Sequence, residues 1–150
     1  MISNFAQYEH RFLSNFFYST FIVDGLAYKT VEHYFQSQKT LDYSERYLIH
    51  NAATPSKAKE LGKKCTLRAD WEQVKVDIMR RGIWEKFCQN CTLKQRLIDT
   101  DNEELREGNY WSDIFWGVDE TTGQGQNWLG RILMETREKL KFEQYTKLKP

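Results

Sequence analysis

Cysteine is scarce in this chain. Three thiols, Cys65, Cys88 and Cys91, stand in 150 residues, and an odd count of this size does not make a disulfide framework. Cys88-Gln-Asn-Cys91 has metal or redox spacing, but no second Cys or His pair accompanies it, and His10, His33 and His50 are scattered. The pair therefore reads as two unremarkable thiols at a helix end, with no metal. Long apolar runs are missing too. None approaches the roughly 20 residues of a membrane span, and Met1-Ile-Ser-Asn-Phe-Ala-Gln7 has neither the basic start nor the apolar stretch of a secretory leader. These absences lead to the expectation of a cytoplasmic protein with no membrane partner. Charge of one sign is also lacking. Lys and Arg number 22 and Asp and Glu 21, a net charge of +1, which excludes a broad electrostatic grip on nucleic acid but leaves room for a local basic patch. No repeat, low-complexity stretch or linker divides the chain, so one domain over residues 1–150 is expected, with a tail fraying from about residue 143. Such a length buries a sizeable core without staples.

Aromatic residues supply 15% of the chain and gather first in Arg11-Phe-Leu-Ser-Asn-Phe-Phe-Tyr18, where Ser14 and Asn15 are the polar exceptions. Phe21-Ile-Val and Leu26-Ala-Tyr28 flank Asp24-Gly25, a strong two-residue hairpin signal. Thr30 caps a helix expected from Val31 to about Leu41. Glu32 falls in its first turn, where the helix dipole favours a carboxylate. A short helix follows over Asp42 to Asn51. Thr54-Pro55 opens the next, which Gly62 is expected to stop. Lys57, Lys59, Lys63, Lys64 and Arg68 make that region basic, either as a solvated face or as a patch that meets phosphate. The longest helix runs from Asp70 to about Gln89. On it Trp71, Lys75, Gly82 and Lys86 lie along one stripe, which is either a half-buried aromatic with snorkelling lysine stems or a face for an anionic ligand. Thr92 caps a helix to about Asp99, the acidic stretch Asp101 to Glu107 holds a short strand or turn, and a terminal helix spans about Asn127 to Phe142. The expected fold class is α+β, mostly helical, with a small amount of sheet near the N-terminus.

The stretch from Asp113 to Arg137 organises this reading. It puts a carboxylate, two large indoles (Trp116 and Trp128) and four glycines (Gly117, Gly123, Gly125 and Gly130) around one irregular loop. It then enters a helix with clean periodicity at Leu129, Ile132, Leu133, Thr136 and Leu140. Loops of this kind, held by rigid elements, are where binding and catalysis concentrate. The backbone amides of Gly125 to Leu129, at a helix N-terminus, form a candidate phosphate cradle.

The chain resembles the NADAR (YbiA-like) family. The resemblance rests on Leu13-Ser-Asn-Phe16, Thr30-Val-Glu-His-Tyr-Phe-Gln-Ser-Gln-Lys39, Asp70-Trp-Glu-Gln-Val-Lys75, Ile78-Met-Arg-Arg81 with Lys86-Phe87, Leu105-Arg-Glu107, Asp113-x-x-Trp-Gly117, and Gly125-Gln-Asn-Trp-Leu-Gly130 with Leu133-Met-Glu-Thr-Arg137. These stretches occur in family order and cover nearly the whole chain. The resemblance implies a compact α+β domain that hydrolyses an N-glycosidic bond, without metal or other cofactor. It implies a phosphorylated ribosyl or ADP-ribosyl substrate. That is either a ribosylamino-pyrimidine intermediate of riboflavin biosynthesis or ADP-ribose on guanine, free or on an ADP-ribosylated nucleic acid. It places catalysis on Glu32, Trp71, Asp113 and Trp116, and substrate binding on Asn15, Gln36, Lys75, Lys86, Gly117, Asn127 and Gly130. Family members often have a further glycine shortly after Trp-Gly, where this chain has Val118-Asp-Glu120, so the resemblance leaves the aglycone open.

The chemistry suits those residue types. Breaking an N-glycosidic bond builds oxocarbenium character on the ribose, which calls for a carboxylate near the anomeric carbon, activation of a water, and help for the leaving nitrogen. Two carboxylates whose environments separate their pKa values serve this purpose, and indoles offer flat, dry walls for a base. A second class, an ADP-ribose or nucleotide binder without turnover, uses the same residues and differs in releasing no product.

Overall fold

Asp24 and Gly25 both take positive φ, 51° and 81°, the pattern of the tight turn that matches strand twist. The turn joins β1 (Phe21–Val23) to β2 (Leu26–Tyr28), antiparallel with Phe21 opposite Tyr28. The computed structural model describes residues 1–149 and resolves into two units, residues 15–89 and residues 1–14 together with the chain from Asn90 onward.

In the first unit the hairpin is followed by α1 (Val31–Ser37), whose seven residues are all buried. It packs against α2 (Tyr43–His50), α3 (Pro55–Lys64), α4 (Trp71–Cys88) and β2. A polar helix buried all round must satisfy its own side chains. Thr30 Oγ1 accepts from the His33 amide, Ser37 Oγ donates to the Tyr34 carbonyl at 2.7 Å, and Gln36 Nε2 donates to Glu32 Oε1 at 2.7 Å. The helix ends at Ser37 rather than Leu41, because Thr40 serves α2: its hydroxyl donates to Glu45 Oε1 and accepts from the Asp42 amide. Gly62 does not stop α3. It lies within the helix because a Cβ there would collide with Gln36 of α1. On α4 the buried residues are Trp71, Met79, Gly82, Ile83, Lys86 and Phe87. The Trp71–Gly82–Lys86 stripe is thus an inward face, and a Cβ on Gly82 would meet the Tyr34 ring.

His33 is wholly buried. Ala52 O lies 3.0 Å from its Nε2 and Thr30 Oγ1 lies 2.8 Å from its Nδ1. A carbonyl only accepts, so Nε2 carries the proton and the Thr30 hydroxyl donates to Nδ1. Burial lowers the imidazole pKa below its ordinary value. The unfolded chain therefore binds this proton more readily than the folded one, and the stability it confers is complete above about pH 6.5 and is lost as pH falls below that. Thermal unfolding followed from pH 8 to pH 5 is expected to show the midpoint falling below pH 6.5, with the His33 ring resonances titrating below the ordinary imidazole value by NMR. A His33 signal that titrates at the ordinary imidazole value would refute this.

The second unit carries a 3-10 helix (Tyr8–Leu13), α5 (Cys91–Ile98), β3 (Gly108–Asn109), β4 (Val118–Asp119) and α6 (Trp128–Leu148). Asn90, not Thr92, precedes α5. The sheet is not confined to the N-terminal region. β3 pairs in parallel with β4, and Ile2 bridges to Leu105. The core of this unit includes Phe5, Phe12, Leu97, Leu105, Ile132, Leu133 and Leu140. α6 outruns its expected end at Phe142 and stays helical through 143–148. No breaker precedes Pro150, and Gln144 Nε2 donates to Gln95 Oε1 of α5 at 3.5 Å. Pro150, the last residue of the expected frayed tail, lies outside the described residues. Among the described residues no helix is long and apolar enough to cross a membrane.

Candidate active site

In the 15–89 unit the family-motif residues converge on α1. Glu32 sits in the first turn, 7% exposed. Its amide donates to Asn15 O at 3.1 Å, and its Oε1 accepts from Gln36 one turn on. That bond fixes the amide of Gln36, because a carboxylate oxygen only accepts and so must face the NH₂. Gln36 Oε1, buried, then points at Gly62 with no donor among the described residues. Asn15 Nδ2 donates to Met79 Sδ at 3.5 Å. Trp71, 6% exposed, packs on Phe35 with ring centroids 5.0 Å apart. Lys39 Nζ lies 5.9 Å from each of those two rings. Burial is the largest influence on the Lys39 ammonium and lowers its pKa, while the Glu32 carboxylate works in the opposite direction.

Lys39 carries no predicted role in the sequence reading, yet its position is legible. Residues 32, 36 and 39 fall on one helical face at 100° per residue. The two lysines that were singled out are placed differently. Lys75 pairs with Glu72 Oε2 at 2.5 Å on its own helix. Lys86 is 1% exposed, its ammonium 5.7 Å from the Phe17 ring centroid and 5.1 Å from that of Phe87.

In the other unit Asp113, Trp116, Gly117, Asn127 and Gly130 share one framework. Asp113 Oδ1 accepts from the amides of Phe115 and Trp116 at 3.1 and 3.0 Å, shaping the turn that carries the indole. Asn109, 1% exposed and missed by the sequence reading, holds this turn from below. Its Nδ2 donates to Asp113 O, and its Oδ1 accepts from the amides of Trp111 and Asp113. Trp116 is half-buried and meets Phe115 edge-on at 4.8 Å. Asp119 is a second buried carboxylate. Its Oδ1 accepts from the amides of Thr121 and Thr122, and these bonds hold its pKa below the ordinary carboxylate value.

Four of the five amides expected to cradle a phosphate at the start of α6 are already occupied. Gln126 N donates to Ile114 O, Asn127 N to Gly117 O, Trp128 N to Phe115 O and Leu129 N to Trp116 O, at 2.7 to 3.2 Å. Donors spent on carbonyls cannot also receive a phosphate, so the motif loop replaces the anion. Asn127 adopts the left-handed conformation, φ 53°. Its side chain clamps Glu107 N and Leu105 O. A Cβ on Gly117 would collide with Glu107 O, and one on Gly130 with Leu105 O. These three residues make the close internal approaches on which the loop depends.

Among the described residues no group of three or more His, Cys, Asp or Glu is placed to hold a metal ion. Cys88 is half-buried and Cys91 exposed, and neither is in a disulfide. Activity is expected to survive chelator treatment, and the Cys88→Ser/Cys91→Ser pair to leave turnover unchanged. Stoichiometric zinc by elemental analysis, lost together with activity in that variant, would overturn this.

A model of the NADAR domain matches residues 4–141. N-glycosidase YbiA of Escherichia coli (strain K12) is 40% identical over 132 residues, covering 87% of this chain and 81% of that protein. A riboflavin biosynthesis protein of Vibrio vulnificus is 38% identical over 133 residues, and the match covers 87% of this chain but 36% of that longer protein. The NMR structure of E. coli YbiA superposes with a TM-score of 0.87 at 37% identity, over 97% of this chain and 88% of that one.

Proposed function

This chain belongs to the NADAR family, and from that premise we propose that it is an N-glycosidase whose substrate joins a phosphorylated ribose, or ADP-ribose, to a nitrogenous base. The similarity to N-glycosidase YbiA over most of both chains supports the reaction class. The observation that carries the reading is Glu32, a buried carboxylate with one oxygen held by Gln36 and a half-buried ammonium, Lys39, acting on it. A carboxylate kept out of bulk water, with its orientation set by a neighbouring amide, suits charge development at an anomeric carbon. Asp113 is the second carboxylate of the reading. Its Oδ1 is committed to the turn that carries Trp116.

Two aglycones fit this chemistry, a ribosylamino-pyrimidine phosphate and ADP-ribosylated guanine, the second either free or in nucleic acid. Mass spectrometry of the purified protein with both substrates in parallel separates them. Release of the free base with the matching ribosyl phosphate or ADP-ribose is the expected result. Tight binding of ADP-ribose with no product from either substrate would replace the enzyme by a binding module.

A further inference from the structure

The basic region of α3 divides by partner. Lys57 and Lys64 share Glu60 Oε1 at 3.3 and 3.4 Å. Lys59 and Lys63, one turn apart on the same face as Gly62, have no carboxylate within ion-pair distance among the described residues, and neither has Lys39. Gly62 abuts Gln36 of α1, and Lys39 follows Gln36 by one turn. The seam between α1 and α3 thus gathers three ammoniums, with Lys39 and Lys59 half-buried and Lys63 exposed. Lys59 and Lys63 act electrostatically on Lys39 in the same direction as burial, against its charged form. Like charges held together in partly dry surroundings repel, and an anion relieves all three at once.

The other candidates for an anion are engaged. The α6 amides donate to residues 114–117, Lys75 pairs with Glu72, and Lys86 is buried among aromatic rings. We propose that Lys39, Lys59 and Lys63 form the seat for the phosphate of the substrate, with Lys39 continuing the α1 face that carries Glu32. This rests on the glycosidase reading above and deepens it. A phosphate on the ribose is the feature common to a ribosyl monophosphate and to ADP-ribose, so the seat recognises the part that both substrate classes share and leaves the base to other groups.

The test uses ribose 5-phosphate and ADP-ribose as phosphorylated probes and ribose as the neutral one, with calorimetry at low and high salt. Lys59→Met with Lys63→Met removes two charges and keeps the stems. Lys57→Met with Lys64→Met is the control on the Glu60 side, and Lys59→Arg with Lys63→Arg restores charge. Wild-type affinity for both phosphorylated probes is expected to fall with salt. The methionine pair is expected to weaken it by about tenfold or more, the scale of losing one charge-assisted contact. The control and the arginine pair should bind as wild type does, and KM should rise far more than kcat falls. Should the methionine pair not fold, Lys63→Met alone, at an exposed position, carries the comparison. Unchanged affinity at every salt concentration, or equal loss in the Lys57/Lys64 control, overturns the seat. Wild-type turnover with an unchanged KM in the methionine pair refutes the seat and leaves the glycosidase standing. Lysine-dependent binding without turnover of either substrate keeps the seat and refutes the glycosidase.

Discussion

Glu32→Gln is expected to lower kcat/KM by about 10²–10⁴-fold, the usual scale for losing a principal acid or base, with the fold intact. The structure shows why the two effects separate. The bond from the Glu32 amide to Asn15 O belongs to the backbone and survives. Gln36 Nε2 donates to Glu32 Oε1, and a glutamine Oε1 accepts the same bond. What disappears is the charge. For a buried carboxylate at a helix N-terminus its stabilising effect reaches about 2 kcal/mol, still a fraction of the stability of an ordinary domain. Steady-state kinetics and thermal unfolding on the same preparation settle the point. Near-normal turnover with unchanged stability would return Glu32 to an end-charge role.

Trp71→Ala is expected to cost about 3–5 kcal/mol of stability, the range for truncating a buried aromatic residue. From sequence the indole could serve a ligand or the core. At 6% exposure and 5.0 Å from Phe35 it contributes to the core whatever else it does. Trp71→Phe retains a ring against Phe35 and is expected to recover most of the loss. Urea denaturation of the three proteins measures this. A Trp71→Ala midpoint within error of wild type would show that the indole stands free of the packing and serves the ligand alone.

Much of the fold was legible because its signals are local. Asp24-Gly25 sets its hairpin by turn chemistry alone. Thr30, Asp42 and Thr54 each accept the amide three residues on, as capping residues do. The β3–β4 pair was not legible. Each strand has two residues, too few for any alternation, and the pairing depends on long-range bonds such as Glu120 N to Asn109 O. Gly62 was misread as a stop because its requirement comes from α1, a different part of the chain. Of the candidate site, Glu32 and Asp113 were reached through the family motifs, since residue spacing alone favours plain helix-end stabilisation for Glu32. The phosphate cradle failed for a physical reason. A sequence marks where a helix starts, but not whether its first amides are already engaged by another loop. Lys39 went unremarked although the helix expected to reach Leu41 kept it on the face of Glu32 and Gln36, because what marks it is burial beside Phe35 and Trp71, which comes from packing and not from spacing.

The four amides of 126–129 that donate to the carbonyls of 114–117 have one more consequence. A glycine-rich segment with free ends would lose much conformational entropy on meeting a ligand, on the order of 1–2 kcal/mol per residue fixed. Here that ordering happens during folding, when the loop is stitched to the first turn of a 21-residue helix. The stretch bearing Asp113 and Trp116 therefore has little freedom left to surrender. Whatever it meets is received by a preorganised surface, and the interaction energy goes into affinity or chemistry rather than into arranging the loop.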